Sequence, residues 1–303
     1  GGLPPITDFQ GVLIVGYNFG LLDGLIQGMK NGQAGAPSEG PESDASFMVK
    51  LDGDEEVPKE WRAFKYPEIV VVDSDKGKTK GSALVHKLIP DLEPFIQKIA
   101  LGVCQTLYKN AEEVPVFDQL TFQLKHYDGV AGKSGHPPKI HIDFSTKYLE
   151  TQHAKIGDDA IAYEIAGVNW HELTHGYQHV PLNAGAYRRG TDHYGFIEGT
   201  ADAVRILAGY HKTRTPQPGG HWTDGYTTTG FFITWLMKNR DPDFLYKLNQ
   251  SCKTIDPWTW DKACKSIFGR TASVSQLWDE YQRDLKSRFT EEEPKDGGDP
   301  PEK

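Results

Sequence analysis

Asn169-Trp170-His171-Glu172-Leu173-Thr174-His175-Gly176-Tyr177-Gln178 is the stretch around which the rest of the chain organises itself. His171 and His175 are four residues apart, so on a helix their imidazoles lie one turn apart on the same face. Glu172 projects about 100° further around the axis. Two neutral imidazoles can then share one metal ion. The carboxylate stands beside the metal, displaced enough to act as a general base on metal-bound water. Zinc lowers the pKa of such a water to about 7. The alternative is a solvated polar helix face carrying two incidental histidines. Ala166, Trp170, Leu173 and Tyr177 disfavour it, because they form an apolar stripe that packs this helix inside a domain. An inward-facing HExxH without metal would leave polar and charged groups poorly satisfied.

Catalytic zinc takes a third protein ligand and keeps one open position. The downstream candidates are His179, Asp192, His193 and Glu198. His179 is another turn along, too far to converge with both histidines on a straight helix, and reads as an exposed helix-end residue. Glu198 is better placed. It lies in a second helical pattern, Phe196 to Gly209, whose core side is marked by Ile197, Ala201, Val204 and Ala208. Asp202 follows by four residues, so the two carboxylates share a face. One can bind the metal while the other accepts the free N–H of a ligand histidine. A solvated acidic face is the competing explanation.

Outward from the motif, a helical pattern begins near Gly157-Asp158-Asp159 and runs through Ile161, Ile165 and Val168. Upstream, Leu120 to Lys125 and Lys139 to Phe144 alternate with period two and are expected as half-buried strands. The Gly/Ser/Pro-rich stretch between them is expected as a loop. Glu68 to Asp73 is a short apolar run typical of a buried strand, followed by a helical pattern over about Pro90 to Tyr108. Phe196 to Phe289 is mainly helical. Residues 1–65 form an N-terminal extension or small extra domain without assignable structure. Residues 66–289 form the main domain, and 290–303 a disordered polar tail. The chain opens at Gly1-Gly2 without Met, as a processed or trimmed chain would.

Composition narrows the function. With 33 Lys and Arg against 42 Asp and Glu, the net charge is −9. That disfavours nucleic acid and anionic membranes as partners. No apolar run approaches membrane-spanning length. None of Cys104, Cys252 and Cys264 has CxxC spacing, which argues against a cysteine-built zinc site. Cys252 and Cys264 are near enough in sequence for a disulfide in an oxidising compartment; two buried thiols are the alternative.

HExxH followed by ExxxD on a second helix resembles the gluzincin group of metallopeptidases. More specifically, Asn169 to Gln178, Gly195 to Tyr210, Trp222 to Tyr226 and Gln276 to Tyr281 resemble the basic secretory protein family of plants and bacteria. The likeness covers roughly Glu68 to Leu285. The acidic net charge departs from the family name. The resemblance implies an α+β, zincin-like fold: a small twisted mixed sheet over the HExxH helix and a mostly helical C-terminal half. It also implies secretion, to the outside, the periplasm or the cell surface. In that architecture the strand Lys139 to Phe144 borders the cleft, and its exposed edge could pair with an extended peptide; an ordinary paired strand is the alternative.

The expected protein is a secreted zinc peptidase acting on peptides or proteins. Zn2+ is held by His171, His175 and Glu198, Glu172 is the base, and Asp202 supports a ligand histidine. Tyr226, after Gly225 at the start of a helical run, is the expected oxyanion donor, with His221 and Tyr194 as alternatives. Arg188 and Arg189 are expected to be solvated rather than to bind a substrate carboxylate. Two rivals remain. One is a glycopeptide-directed hydrolase, for which Trp222, Trp258 and Trp260 would form an exposed sugar platform. The other is a zincin-fold binding protein without turnover, which would have no need of Glu172.

Overall fold

The computed structural model describes residues 57–291 of the 303. The readings of residues 1–56 and 292–303 lie outside the described residues. Alternation of apolar side chains builds the sheet. Strand β2 (Gln119–Lys125) buries Leu120, Phe122 and Leu124, and β4 (Lys139–Ser145) buries Ile140, Ile142 and Phe144. A one-residue slip would turn Thr121, Gln123, His141 and Asp143 inward, so the register is strongly specified. β1 (Glu68–Asp73) runs parallel to β2, and β2 parallel to β4.

The segment expected to be a loop contains a further strand, β3 (Ala131–His136), antiparallel to β4. The sheet order is therefore β1-β2-β4-β3. This corrects the reading of Lys139 to Phe144 as the edge: β4 is hydrogen-bonded on both sides, and among the described residues β3 and β1 are the outer strands.

Eight α-helices accompany the sheet among the described residues. Helix α1 (Lys80–Leu88) was not expected; it is capped by Thr79, whose side chain accepts from the Ser82 N–H. Helix α2 (Leu92–Leu107) matches its apolar period. Helix α3 (Thr146–Tyr177) carries the HExxH motif. It starts earlier than expected, because Ser145 caps it by accepting from the Tyr148 N–H at 3.1 Å. Gly157 (φ 78°, ψ −178°) kinks it where the sequence suggested a start.

The second half of α3 lies between the sheet and α4 (Asp192–Leu207), in contact with both and with α2. It is buried on all sides, and two of its polar side chains bond within the helix: Asn169 Nδ2 to the Ile165 carbonyl at 2.9 Å, Thr174 Oγ1 to that of Trp170 at 2.8 Å. Helices α5 (Tyr226–Asn239), α6 (Phe244–Ser251), α7 (Trp260–Phe268) and α8 (Val274–Glu291) complete the lower half. The expected helical C-terminal half is present.

One core joins both halves, from Trp61 and Phe64 to Trp278 and Leu285. Trp258 and Trp260 belong to it at 1% and 0% exposure, which removes them as sugar-binding surface. Their indole N–H groups are held by Ser251 Oγ and the Asp192 carbonyl. Cys104, Cys252 and Cys264 are buried free thiols.

Candidate metal centre

Helices α3 and α4 bring His171, His175 and Glu198 together; one ligand atom from each lies within 4.8 Å of the others. His171 Nε2 is 3.1 Å from Glu198 Oε2 and 3.1 Å from His175 Nε2, and His175 Nε2 is 3.5 Å from the same oxygen. All three are buried.

Their outer hydrogen bonds fix the protons. His171 Nδ1 is 2.7 Å from Asp202 Oδ1, and an ionised carboxylate only accepts, so the ring carries its proton there. His175 Nδ1 is 2.6 Å from Gln178 Oε1. The Gln178 amide is oriented by donating its Nε2 to the Ile197 carbonyl, so Oε1 must face the histidine and accept. Both Nε2 atoms of the neutral imidazoles are therefore lone pairs, and they face a third acceptor, Glu198 Oε2. Three acceptors converging without a proton between them repel unless a cation lies among them. Two imidazoles and a carboxylate form a donor set that can hold a divalent transition metal.

The surroundings fit the same picture. Burial opposes the charge on Glu198, but His175 and His171 hold its pKa down at about 2. Asp202, likewise buried, is kept low by His211 and His171. Burial also disfavours charge on His171, yet the bonds to Asp202 and Glu198 outweigh it and raise the ring to about 10. In the absence of a metal a proton would take the cation's place.

Glu172 differs from these. It is fully buried, and among the described residues neither of its carboxylate oxygens has a hydrogen-bond partner. Burial raises its pKa to about 7 against the pull of His175 and His171.

Tyr226 lies over His171, the rings 9° from parallel and 5.8 Å apart. It follows Gly225 (φ 76°), where a Cβ would sit 2.9 Å from the Glu198 Cβ. Glycine thus lets the start of α5 close onto α4. The Tyr226 hydroxyl is buried; among the described residues its polar neighbour is the Tyr194 hydroxyl, and no hydrogen bond of good geometry reaches it. Tyr194 stands edge-on to Tyr226 at 6.0 Å. His221 is exposed, its ring engaged by Thr223 Oγ1 and stacked on the half-buried Trp222.

The other third-ligand candidates are used elsewhere. His179 is half-buried, not exposed as expected: its ring packs edge-on against Tyr108, and burial lowers its pKa to about 4. Asp192 accepts from the Trp260 N–H, and His193 Nδ1 bonds the Gly185 carbonyl. Arg188 and Arg189 are exposed, with Arg189 reaching the Tyr194 hydroxyl.

Three supporting residues escaped the sequence. Tyr187 donates its hydroxyl to Glu198 Oε1, Gln178 orients His175, and His211 Nε2 stands 3.3 Å from Asp202 Oδ1. Gln178 had a signal, its i+3 spacing from His175. Tyr187 and His211 sit in irregular segments, where no periodicity marks them.

The family model for peptidases of plants and bacteria matches residues 68–281, more than half of the chain. The chain belongs to this family, that of the basic secretory proteins. No curated protein matches it, and no solved structure does.

Proposed function

We propose that this chain is a secreted, zinc-dependent peptidase of zincin-like architecture, its catalytic unit lying within residues 66–289. The family is one of peptidases, and no helix among the described residues is long and apolar enough to cross a membrane. The observation that carries the reading is the contrast at one point of α3. Three buried lone pairs converge as a metal would require, and next to them a buried carboxylate has no hydrogen-bond partner among the described residues.

His171, His175 and Glu198 would hold the metal, with Asp202 and Gln178 fixing the two imidazoles. A bound zinc ion supplies Lewis acidity toward water and the scissile carbonyl. Glu172 takes the proton of the attacking water and returns it to the leaving nitrogen. Its raised pKa, about 7, lets it do both near neutrality. The Tyr226 hydroxyl, beside Tyr194, donates to the oxyanion that develops on the carbonyl. The substrate runs as an added strand along the open edge of β3, which packs against α3.

A protein that only binds would have no reason to bury an unpaired Glu172, since such a group costs stability. The glycopeptide alternative loses two of its three platform residues to the core.

The test is elemental analysis combined with turnover. About one zinc per chain is expected, together with peptide hydrolysis that a chelator abolishes and zinc restores. Glu172→Gln should keep the metal and lose at least ~10²–10⁴-fold in kcat. A protein that contains no transition metal and takes none up on titration would remove the reading.

A further inference from the structure

β3, an outer strand of the sheet among the described residues, carries a charge where apolar side chains belong. Lys133 lies on β3 opposite Ile142, which pairs with Phe122, which pairs with Val71. Side chains directly opposite one another share a face. Ile142 and Phe122 are completely buried, so Lys133 points to the side of the sheet that packs against α3. It is half-buried, and among the described residues its ammonium has no hydrogen bond and no ion pair.

The charged group that acts on it is Glu172, and each feels the other's field. Their charged atoms nevertheless do not come within ion-pairing distance. A partly desolvated ammonium, whose pKa burial lowers, thus stands on the strand face that packs against the helix of the unpaired base. Such a cation is costly to keep unpaired and gains most from an anion with oxygen acceptors. A peptide added along β3 would direct alternate side chains to the face from which Lys133 projects.

We propose that Lys133 is a specificity residue that binds a carboxylate of the peptide substrate close to the scissile bond. The carboxylate is either an Asp or Glu side chain or the free C-terminus of a short peptide. The inference rests on the peptidase reading above. A structural role competes with it: an inward charge on an edge strand also deters pairing with other chains.

The experiment uses matched fluorogenic peptides carrying Glu or Gln at each position flanking the cleavage site, each made as free acid and as amide. They are assayed on the zinc-loaded protein and on its Lys133→Met and Lys133→Arg variants. The acid-over-neutral ratio of kcat/KM should be roughly 10- to 100-fold in the parent, the range of a hydrogen bond to a charged group, and should be carried mainly by KM. Lys133→Met should bring it near one, and Lys133→Arg should retain most of it. Glu over Gln identifies a side chain as the source; acid over amide identifies the terminus. A ratio near one in the parent, or the same ratio in Lys133→Met, overturns the proposal. So does a Lys133→Met protein whose only change is self-association in sedimentation, which would assign the residue to edge protection.

If the parent cleaves no peptide, it is the peptidase reading that fails. Calorimetric titration of the same peptides onto the same three proteins then decides the role of Lys133. Selective binding of the acids that disappears in Lys133→Met sustains it, and equal binding refutes it.

Discussion

The two walls of the centre are built on opposite principles. On the α4 side the polar groups are paired: Glu198 Oε1 receives Tyr187, and Asp202 receives His171 with His211 beside it. Gln178 links His175 to the Ile197 carbonyl. Other polar groups around the centre, on α3, on β3 and at the start of α5, are left open. Both oxygens of Glu172, the Tyr226 hydroxyl and the Lys133 ammonium have no hydrogen-bond partner of good geometry among the described residues. A buried polar atom without a partner costs about 1–3 kcal/mol. The saturated wall needs nothing from outside except a cation. The open wall is unfavourable as it stands, and in the proposed reading a substrate completes it. In that reading metal holding and peptide turnover fall to different sets of residues, so substitutions can address them separately.

The largest effect is expected on the saturated wall. Glu198→Ala removes the carboxylate whose oxygen converges with the two imidazole lone pairs, so metal affinity and turnover should both collapse. His179→Ala and His193→Ala, whose rings are committed to Tyr108 and to the Gly185 carbonyl, should keep the metal. Chelator competition followed by elemental analysis measures all three. Loss of metal in either histidine variant, with retention in Glu198→Ala, would mean that the paired wall is not the metal wall.

On the open wall, Tyr226→Phe should leave metal content intact and lower kcat by roughly 10²–10³, the cost of one oxyanion donor. Unchanged turnover on a verified substrate would shift that role to Tyr194, the neighbouring phenol.

How much of this could be read from the sequence follows from which contacts are local. The period-two strands β2 and β4 and the i, i+4 pairs His171/His175 and Glu198/Asp202 are written in short range, and they stand where periodicity put them. β3 was missed because Ala131-Gly-Lys-Ser-Gly-His136 has two glycines and no apolar alternation. It is a strand only through its ladder to β4, and that omission made β4 look like an edge. Trp258 and Trp260 looked exposed because a loop sequence does not show that Ser251 and Asp192 await their indoles. Tyr187 and His211 reach the centre from irregular segments, where only tertiary structure brings them in. Lys133 became a candidate only once β3 was seen to be an outer strand.

The smallest expected effect lies within the saturated wall, where the two histidines are oriented differently. His171 leans on a carboxylate, Asp202, and His175 on a neutral amide, Gln178. Asp202→Asn gives both rings the same kind of support. The Asn oxygen can still accept from His171 Nδ1, so the tautomer and the ring position should survive. What is lost is the negative charge that makes the His171 lone pair more basic, together with the anion beside His211. Metal affinity should fall about 10–100-fold, far less than in Glu198→Ala. Turnover of the fully metal-loaded variant should fall by no more than that. Gln178→Ala should cost less still, because it removes a neutral acceptor. Isothermal titration with zinc, read alongside kcat at saturating metal, orders the three variants. If Asp202→Asn loses metal as completely as Glu198→Ala, then Asp202 is itself a ligand and the division between the two carboxylates of α4 is wrong. If Gln178→Ala costs more than Asp202→Asn, the charge on Asp202 is not what tunes the site, and ring orientation alone accounts for its role.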